Sequence, residues 1–326
     1  MRRIGVSGVG SIGLRHVRLL AERADIQVIA YDAVPRDLPN GVQSVPSFVE
    51  LLDHGLDALI VATPDEAHAP QTVAAAERGI PVLVEKPVAD SVAAGPDLIR
   101  AAEQVPVLVG YVLRHYAVVR QVSQLLADGA LGTPVSAQVS LGAYETLRLA
   151  RNRFRPGDRY RLAYDYSHEW DYLQWFLGPA QRVCATGRLA GDLPLIQEPN
   201  TLDGVLILGE GLAATFHLDY VQEGGGRRLE VVGDRGTLRA ELAGGTIRHR
   251  RHGEAVVHEY DCTEPRDTAF TRQHDHFLDL ISGAVEQPVV TVQDGLNAIA
   301  VADAVVASCE GAGWVAVSGL SSPRRP

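Results

Sequence analysis

Arg3-Ile4-Gly5-Val6-Ser7-Gly8-Val9-Gly10-Ser11-Ile12-Gly13 decides how this 326-residue chain folds. Arg3 to Ser7 reads as a short strand, and Ser11 to Arg23 as a helix with Ile12, His16, Leu19 and Leu20 on one side. Between them, Gly8 to Gly13 is a G-x-G-x-x-G turn in strand–turn–helix context. Gly8 permits the tight turn, Gly10 has no side chain to obstruct a pyrophosphate, and Gly13 lets the helix pack close to the strand. The helix start at Ser11 and Ile12 faces the phosphates with free N–H groups. The next strand, Ile26 to Tyr31, ends in Asp32, about 20 residues past the last glycine. A carboxylate there accepts from both ribose hydroxyls and repels a 2′-phosphate, so NAD is expected over NADP, with Arg36 close by as a counter-signal. The bland alternative is a structural glycine turn beside a solvated Asp.

Outward from this turn the β–α alternation continues. Asp57 to Ala62 is an apolar strand ending in Thr63-Pro64, and a helix follows from Glu66 to Arg78. Val82 to Val84 is a strand ending in Glu85-Lys86-Pro87, Asp90 to Glu103 is a helix started by Asp90 or Ser91, and Val105 to Gly110 is another apolar run. Alternation at this spacing predicts a doubly wound parallel sheet. Such sheets hold ligands at the carboxyl ends of their strands, which puts Thr63, Pro64, Glu85 and Lys86 on the cofactor edge. Proline cannot extend the ladder, so the backbone turns at Pro87 and leaves the Lys86 ammonium at the rim. There it can donate to a substrate oxygen, or lose its charge on partial burial and shuttle a proton. A surface Lys-Pro turn with a solvated salt bridge is the alternative. His68 is given a place beside the nicotinamide ribose, although a lone His one turn into a helix is more often packing.

The pattern then changes. After a helix from Val118 to Leu126, ended by Gly129 and Gly132, come strands at Val135–Leu141, Gly204–Gly209, Leu212–Val221, Arg227–Val232, Thr237–Glu241, Thr246–Arg250 and Ala255–Tyr260. Close spacing and glycine turns predict an antiparallel sheet. Two helices follow, Thr268–Ser282 and Val292–Glu310, and Ser321–Pro326 reads as a flexible tail. The expected organisation is a dinucleotide-binding domain over 1–115 and an α+β substrate-binding and oligomerisation domain over 116–320, with the last helix available to pack back on the first domain.

A second chemical cluster from Tyr164 to Trp175 runs into a helix stopped by Gly178-Pro179, and on a helix Asp165, His168 and Asp171 or Tyr172 share one face. A His flanked by carboxylates one turn either side has its pKa raised and its ring oriented, which suits a general base. An N-capping Asp165 beside a satisfied His is equally compatible. Metal binding is discounted because no second His arrives at i+4. Upstream, Arg148, Arg151, Arg153, Arg155, Arg159 and Arg161 suggest an anionic substrate group, such as a phosphate or nucleotide diphosphate, although charge runs are more often simply solvated.

Composition narrows the classes. Apolar residues at 46% and charged residues at 21% are ordinary for a globular protein, and a net charge of −10 disfavours a general nucleic-acid or anionic-membrane binder. Cys184, Cys262 and Cys309 form no Cys-x-x-Cys pair, so neither a disulfide framework nor a zinc knuckle is indicated. No uninterrupted apolar leader and no run of membrane-spanning length is read, and the cytoplasm is the expected location.

Together these residues resemble the glucose–fructose oxidoreductase / inositol dehydrogenase (Gfo/Idh/MocA) family. The marks are the opening glycine turn, Ala62-Thr63-Pro64 with His68, Glu85-Lys86-Pro87, Gly110-Tyr111 with Arg114, His168-Glu169-x-Asp171 before Trp175, Leu218-Asp219-Tyr220, and Gly233-Asp234-Arg235-Gly236-Thr237. The resemblance implies an N-terminal Rossmann domain, a C-terminal domain with a large, mostly antiparallel open sheet, and homodimers or homotetramers. It also implies NAD(P)-dependent oxidation of a sugar or cyclitol hydroxyl, with phosphorylated or nucleotide-linked sugars among the candidates. The family's catalytic lysine falls on Lys86, its histidine on His168 and its acid on Asp165, with Arg114, Tyr164 and Asp171 toward the substrate. There are departures. The inositol dehydrogenase pattern has its acid four residues before the histidine, where this chain has Tyr164. Val112 replaces an Asn often found after Gly-Tyr, and Arg161-Leu162-Ala163 stands where relatives carry glycines. An NAD-dependent glycosidase and a non-catalytic dinucleotide-binding sensor are the competing readings.

Overall fold

The computed structural model describes residues 1–144, 159–191 and 199–318. Arg148, Arg151, Arg153, Arg155 and the Ser321–Pro326 tail lie outside them. The chain forms two compact units, one of Met1–His115 with Pro265–Ile299, the other of Tyr116–Glu264 with Ala300 and the described residues after it.

Among the described residues the first unit holds a six-stranded sheet in the order β3-β2-β1-β4-β5-β6. The strands are β1 Arg2–Ser7, β2 Ile26–Tyr31, β3 Gln43–Ser44, β4 Ala58–Val61, β5 Val82–Val84 and β6 Val107–Val109. Every pairing is parallel. The strand order reverses about β1, which lies between β2 and β4, and this is the switch point where doubly wound sheets bind ligands. β4, β5 and β6 are buried at every position, which is why they read as unbroken apolar runs rather than alternating ones. Helix Ser11–Ala21 buries Gly13, His16, Val17 and Leu20, so the inward face is shifted from the expected one and leaves Ile12 and Leu19 half-buried. The helix expected from Glu66 opens instead as a 3₁₀ turn, Asp65–Ala67, before His68–Ala76. Helix Arg266–Ser282 belongs to this unit, as does the first half of helix Val292–Ala307. A side chain at Gly295 would begin 2.9 Å from Val88 Cγ1, so glycine is what lets that helix sit so near the strand-end turn.

The second unit holds, among the described residues, a nine-stranded sheet in the order β14-β13-β12-β11-β7-β10-β9-β8-β15. These are β7 Pro134–Gly142, β8 Ala180–Arg188, β9 Thr201–Leu208, β10 Leu212–Asp219, β11 Arg227–Gly233, β12 Gly236–Glu241, β13 Thr246–Arg251, β14 Val257–Asp261 and β15 Val315–Ala316. The expected antiparallel character holds except that β7 and β10 pair in parallel. β8 was not anticipated from the sequence: only Val183 of its nine residues is buried, so it shows little of the alternation that signals a strand. Ala214, Phe216 and Leu218 of β10 and Leu229 and Val231 of β11 are buried. Trp170, on helix Ser167–Leu177, stands edge-on to Phe216 at 5.0 Å and donates its indole N–H to Ala163 O at 2.8 Å. That buried aromatic pair anchors the helix on the sheet.

Candidate active site

The glycine turn has the geometry its sequence asks for. Gly8 has φ +86°, and a Cβ there would stand 2.6 Å from Ala62 O. A Cβ at Gly13 would lie 1.8 Å from Gly8 O, so helix and turn touch backbone to backbone. Around Gly10 a Cβ would meet nothing within 4 Å, which leaves open space at the middle glycine. The helix that starts at Ser11 has no side-chain cap and no acidic residue in its first turn. Its first N–H groups are thus available to an anion. Asp32 stands beside the turn, its Oδ2 accepting from Val9 N–H at 2.6 Å and its Oδ1 from Val34 N–H at 2.8 Å. Arg36 Nε lies 3.6 Å from Asp32 Oδ1, so the nearby cation is drawn to the carboxylate. The hydroxyls of Ser7 and Thr63, at the ends of β1 and β4, are buried without a partner among the described residues. This donor-lined, unobstructed cradle fits a dinucleotide.

At the end of β5 the residues face inward as well as outward. Glu85 extends the ladder by donating its N–H to Val61 O at 2.8 Å, and Gly110 N–H reaches Val84 O at 2.7 Å. The Glu85 carboxylate lies within the unit: Oε1 is 3.0 Å from His16 Nε2, and Oε2 accepts from the Lys86 N–H at 3.3 Å. Gly110 must be glycine because its Cβ would stand 2.9 Å from Glu85 Cδ. Lys86 is half-buried, and its peptide bond to Pro87 is cis. It is also the only lysine in the chain. His68 is buried, with Nδ1 2.6 Å from Pro87 O and Nε2 2.8 Å from Thr63 O. Expected beside a ribose, it stands between the backbones at the ends of β4 and β5, with a carbonyl oxygen against each ring nitrogen. Arg114 is 3% exposed, donating to Val289 O at 2.7 Å with Asp294 Oδ2 at 3.5 Å. It pins the turn after β6 to the helix that returns from residue 292, rather than standing open toward a substrate.

In the second unit the expected single helix is two. Arg161–Asp165 is a short helix, Tyr166 leaves helical geometry at φ −106° and ψ 32°, and Ser167–Leu177 follows. Asp165 and His168 therefore do not share one continuous helix face, and the second helix has no side-chain cap from Asp165. Asp165 is 5% exposed, taking Arg161 Nε on Oδ1 at 2.9 Å and the Tyr220 hydroxyl on Oδ2 at 3.1 Å. Tyr164 donates its hydroxyl to Asp303 at 2.7 Å, and burial, then that bond, pushes the phenol well above its ordinary value. His168 is half-buried and Asp171 is buried. Of the arginines expected to meet an anionic group, Arg161 is paired with Asp165 and Arg159 lies over the Tyr160 ring at 5.2 Å.

Three partners escaped the sequence reading of sites. Tyr220 is the residue of Leu218-Asp219-Tyr220 that reaches Asp165, while Asp219 Oδ1 takes the N–H groups of Val221 and Gln222 and shapes the turn. Arg227, at the start of β11, stands 2.7 Å from the fully buried Glu169, the neighbour of His168 on the same helix. Burial, the largest influence, opposes the Arg227 charge, but Glu169 together with Tyr172, Tyr166 and Tyr116 outweighs it and raises the pKa. His16 and its partners form the third; the only local signal was a His one turn after the last glycine. Among the described residues no group of His, Cys, Asp and Glu is placed to hold a metal, and no helix is long and apolar enough to cross a membrane.

Residues 2–112 match the model of an oxidoreductase family with an NAD-binding Rossmann fold, and residues 119–239 match the GFO/IDH/MocA C-terminal domain. A 1,5-anhydro-D-fructose reductase of Ensifer adhaerens is 31% identical over 284 residues, 82% of each chain. Inositol 2-dehydrogenase 1 of Saccharopolyspora erythraea is 28% identical over 333 residues, 94% of each. The WlbA dehydrogenase of Bordetella pertussis, solved with NADH and UDP-GlcNAcA, superposes over 97% of both chains with TM-score 0.81 at 21% identity, a likeness of fold. The sheet orders, the glycine cradle and these matches agree: the chain is an oxidoreductase of the GFO/IDH/MocA family.

Proposed function

We propose that the protein oxidises, reversibly, a hydroxyl of a sugar or cyclitol with NAD. NAD, when bound, supplies the hydride acceptor. Gly8, Gly10, Ser11, Ile12 and Gly13 would hold its phosphates and Asp32 a ribose, with Thr63, Pro64 and Glu85 at the strand ends beside it. Lys86 donates a hydrogen bond to the reacting oxygen, and His168 accepts that oxygen's proton as the carbonyl forms. Asp165, itself held by Arg161 and Tyr220, keeps a negative charge near His168 to favour the protonated ring. The observation that carries this reading is Lys86: the one lysine of the chain stands at the carboxyl end of a buried central strand, on a turn whose backbone is held from both sides.

The test is a screen of free, phosphorylated and nucleotide-linked sugars and cyclitols for NAD reduction. Reduction that disappears in Lys86→Ala supports the assignment. Glycoside cleavage without accumulating NADH, or NADH binding with no turnover on any compound, overturns it. A homodimer or homotetramer in the cytoplasm completes the proposal, with light scattering as the check on mass.

A further inference from the structure

Behind the Lys86 turn lies a buried line of three titratable side chains to which the proposed proton transfer gives no part. Glu85 Oε1, His16 Nε2, His16 Nδ1 and His274 Nε2 follow one another at 3.0 and 2.7 Å. His16 is 0% exposed, His274 2% and Glu85 9%. The His16 ring is held from its side by Phe270, edge-on at 5.5 Å, and Arg15 covers Phe270 at 5.2 Å. Burial first, then its neighbours His16, Arg23 and His115, push His274 well below the ordinary imidazole value.

A carboxylate only accepts. Glu85 meets two N–H donors, one per oxygen: His16 at Oε1 and the Lys86 backbone at Oε2. Whichever imidazole owns the proton between His16 and His274, the Nε2–H of His16 faces Glu85. The Gly110 backbone closes the remaining side, since even a Cβ there would crowd Glu85. The carboxylate cannot swing away without leaving a buried donor unpaired, which is costly.

We propose that His16, backed by His274, is a positioning residue: it fixes the Glu85 carboxylate so that its second oxygen holds the Lys86 peptide and sets the direction of the Lys86 side chain. The relevance to catalysis rests on the Lys86 assignment above; the brace itself does not.

Because Lys86 is the only lysine, protein labelled with ¹⁵N-lysine gives a single backbone amide signal, and that signal is the N–H bonded to Glu85. In His16→Leu the signal is expected to shift and its hydrogen exchange to quicken about tenfold or more. His16→Gln, whose side-chain amide reaches the position of Nε2, restores both toward wild type. Glu85→Gln, with one accepting oxygen in place of two, displaces the signal again. A merely structural His16 would lower the thermal midpoint and leave this signal alone. An unchanged Lys86 amide in His16→Leu, or in Glu85→Gln should His16→Leu not fold, overturns the proposal. Wild-type turnover in Lys86→Ala, with the amide behaving as expected, overturns the catalytic reading only.

Discussion

The turn at residues 84–87 and the helices at residues 161–177 carry the two side chains proposed to act on one hydroxyl, yet they are held by different physics. The turn is held by polar contacts from far along the chain: His16 lies 69 positions from Glu85, and His274 258 positions from His16. Its support is directional and each partner has one geometry. The helices are held by bulk, with Trp170 buried against Phe216, beside polar links both short, as from Arg161 to Asp165, and long, as from Tyr164 to Asp303. A site residue on a turn needs its backbone direction set by hydrogen bonds, while one on a helix inherits direction from the packing of the whole element.

If the helix rests on apolar burial, Trp170→Ala should have the largest effect, destabilising the second unit by about 3–5 kcal/mol in denaturant unfolding. A loss under ~1 kcal/mol would show that apolar burial is not what holds the helix. Next comes the chemistry: Lys86→Ala and His168→Ala should each lower turnover by about 10²-fold or more while NAD affinity, measured by titration, stays close to wild type. Unequal losses would show whether the hydrogen bond from Lys86 or the proton transfer to His168 matters more. Tyr220→Phe removes one donor from the buried Asp165 and should cost about 1–3 kcal/mol of stability, read from the unfolding midpoint. A neutral result would mean Arg161 suffices.

The smallest contrast is in pH. The depressed His274 favours its neutral form, so its contribution is present above the unfolded value of about 6.5 and is lost as pH falls from there toward the folded value. His217 has the opposite sign: burial lowers it, but Asp203 and Asp219 on either side of the ring outweigh that and raise it. Its contribution is present below about 6.5 and is lost as pH rises through the raised folded value. Its half-exposed, screened position keeps this effect small. His217→Asn should therefore flatten only the alkaline side of the midpoint–pH curve, and steepening there would reverse the assignment of the two histidines.

What could be read early follows from range. Gly8, Gly10 and Gly13 act within a few residues, and backbone sterics alone dictate glycine there. β4, β5 and β6 announced themselves because burial on both faces leaves no polar position. β8 escaped because one buried valine in nine residues carries no period. Arg114 and Tyr164 looked like substrate ligands, and their hydrogen bonds instead run to Val289 and Asp303, remote in sequence and invisible to local pattern.

The amino-acid order by itself determined the doubly wound first sheet, the glycine cradle and the strand-end position of Lys86, because each depends on neighbours along the chain and on elementary sterics. Only the tertiary structure decided what holds those residues. The break at Tyr166 and the seat of His68 between Thr63 and Pro87 emerge only in the fold, while the parallel β7–β10 pair and the line from Glu85 through His16 to His274 arise where distant segments exclude water together, and no local rule states which distant segments will meet.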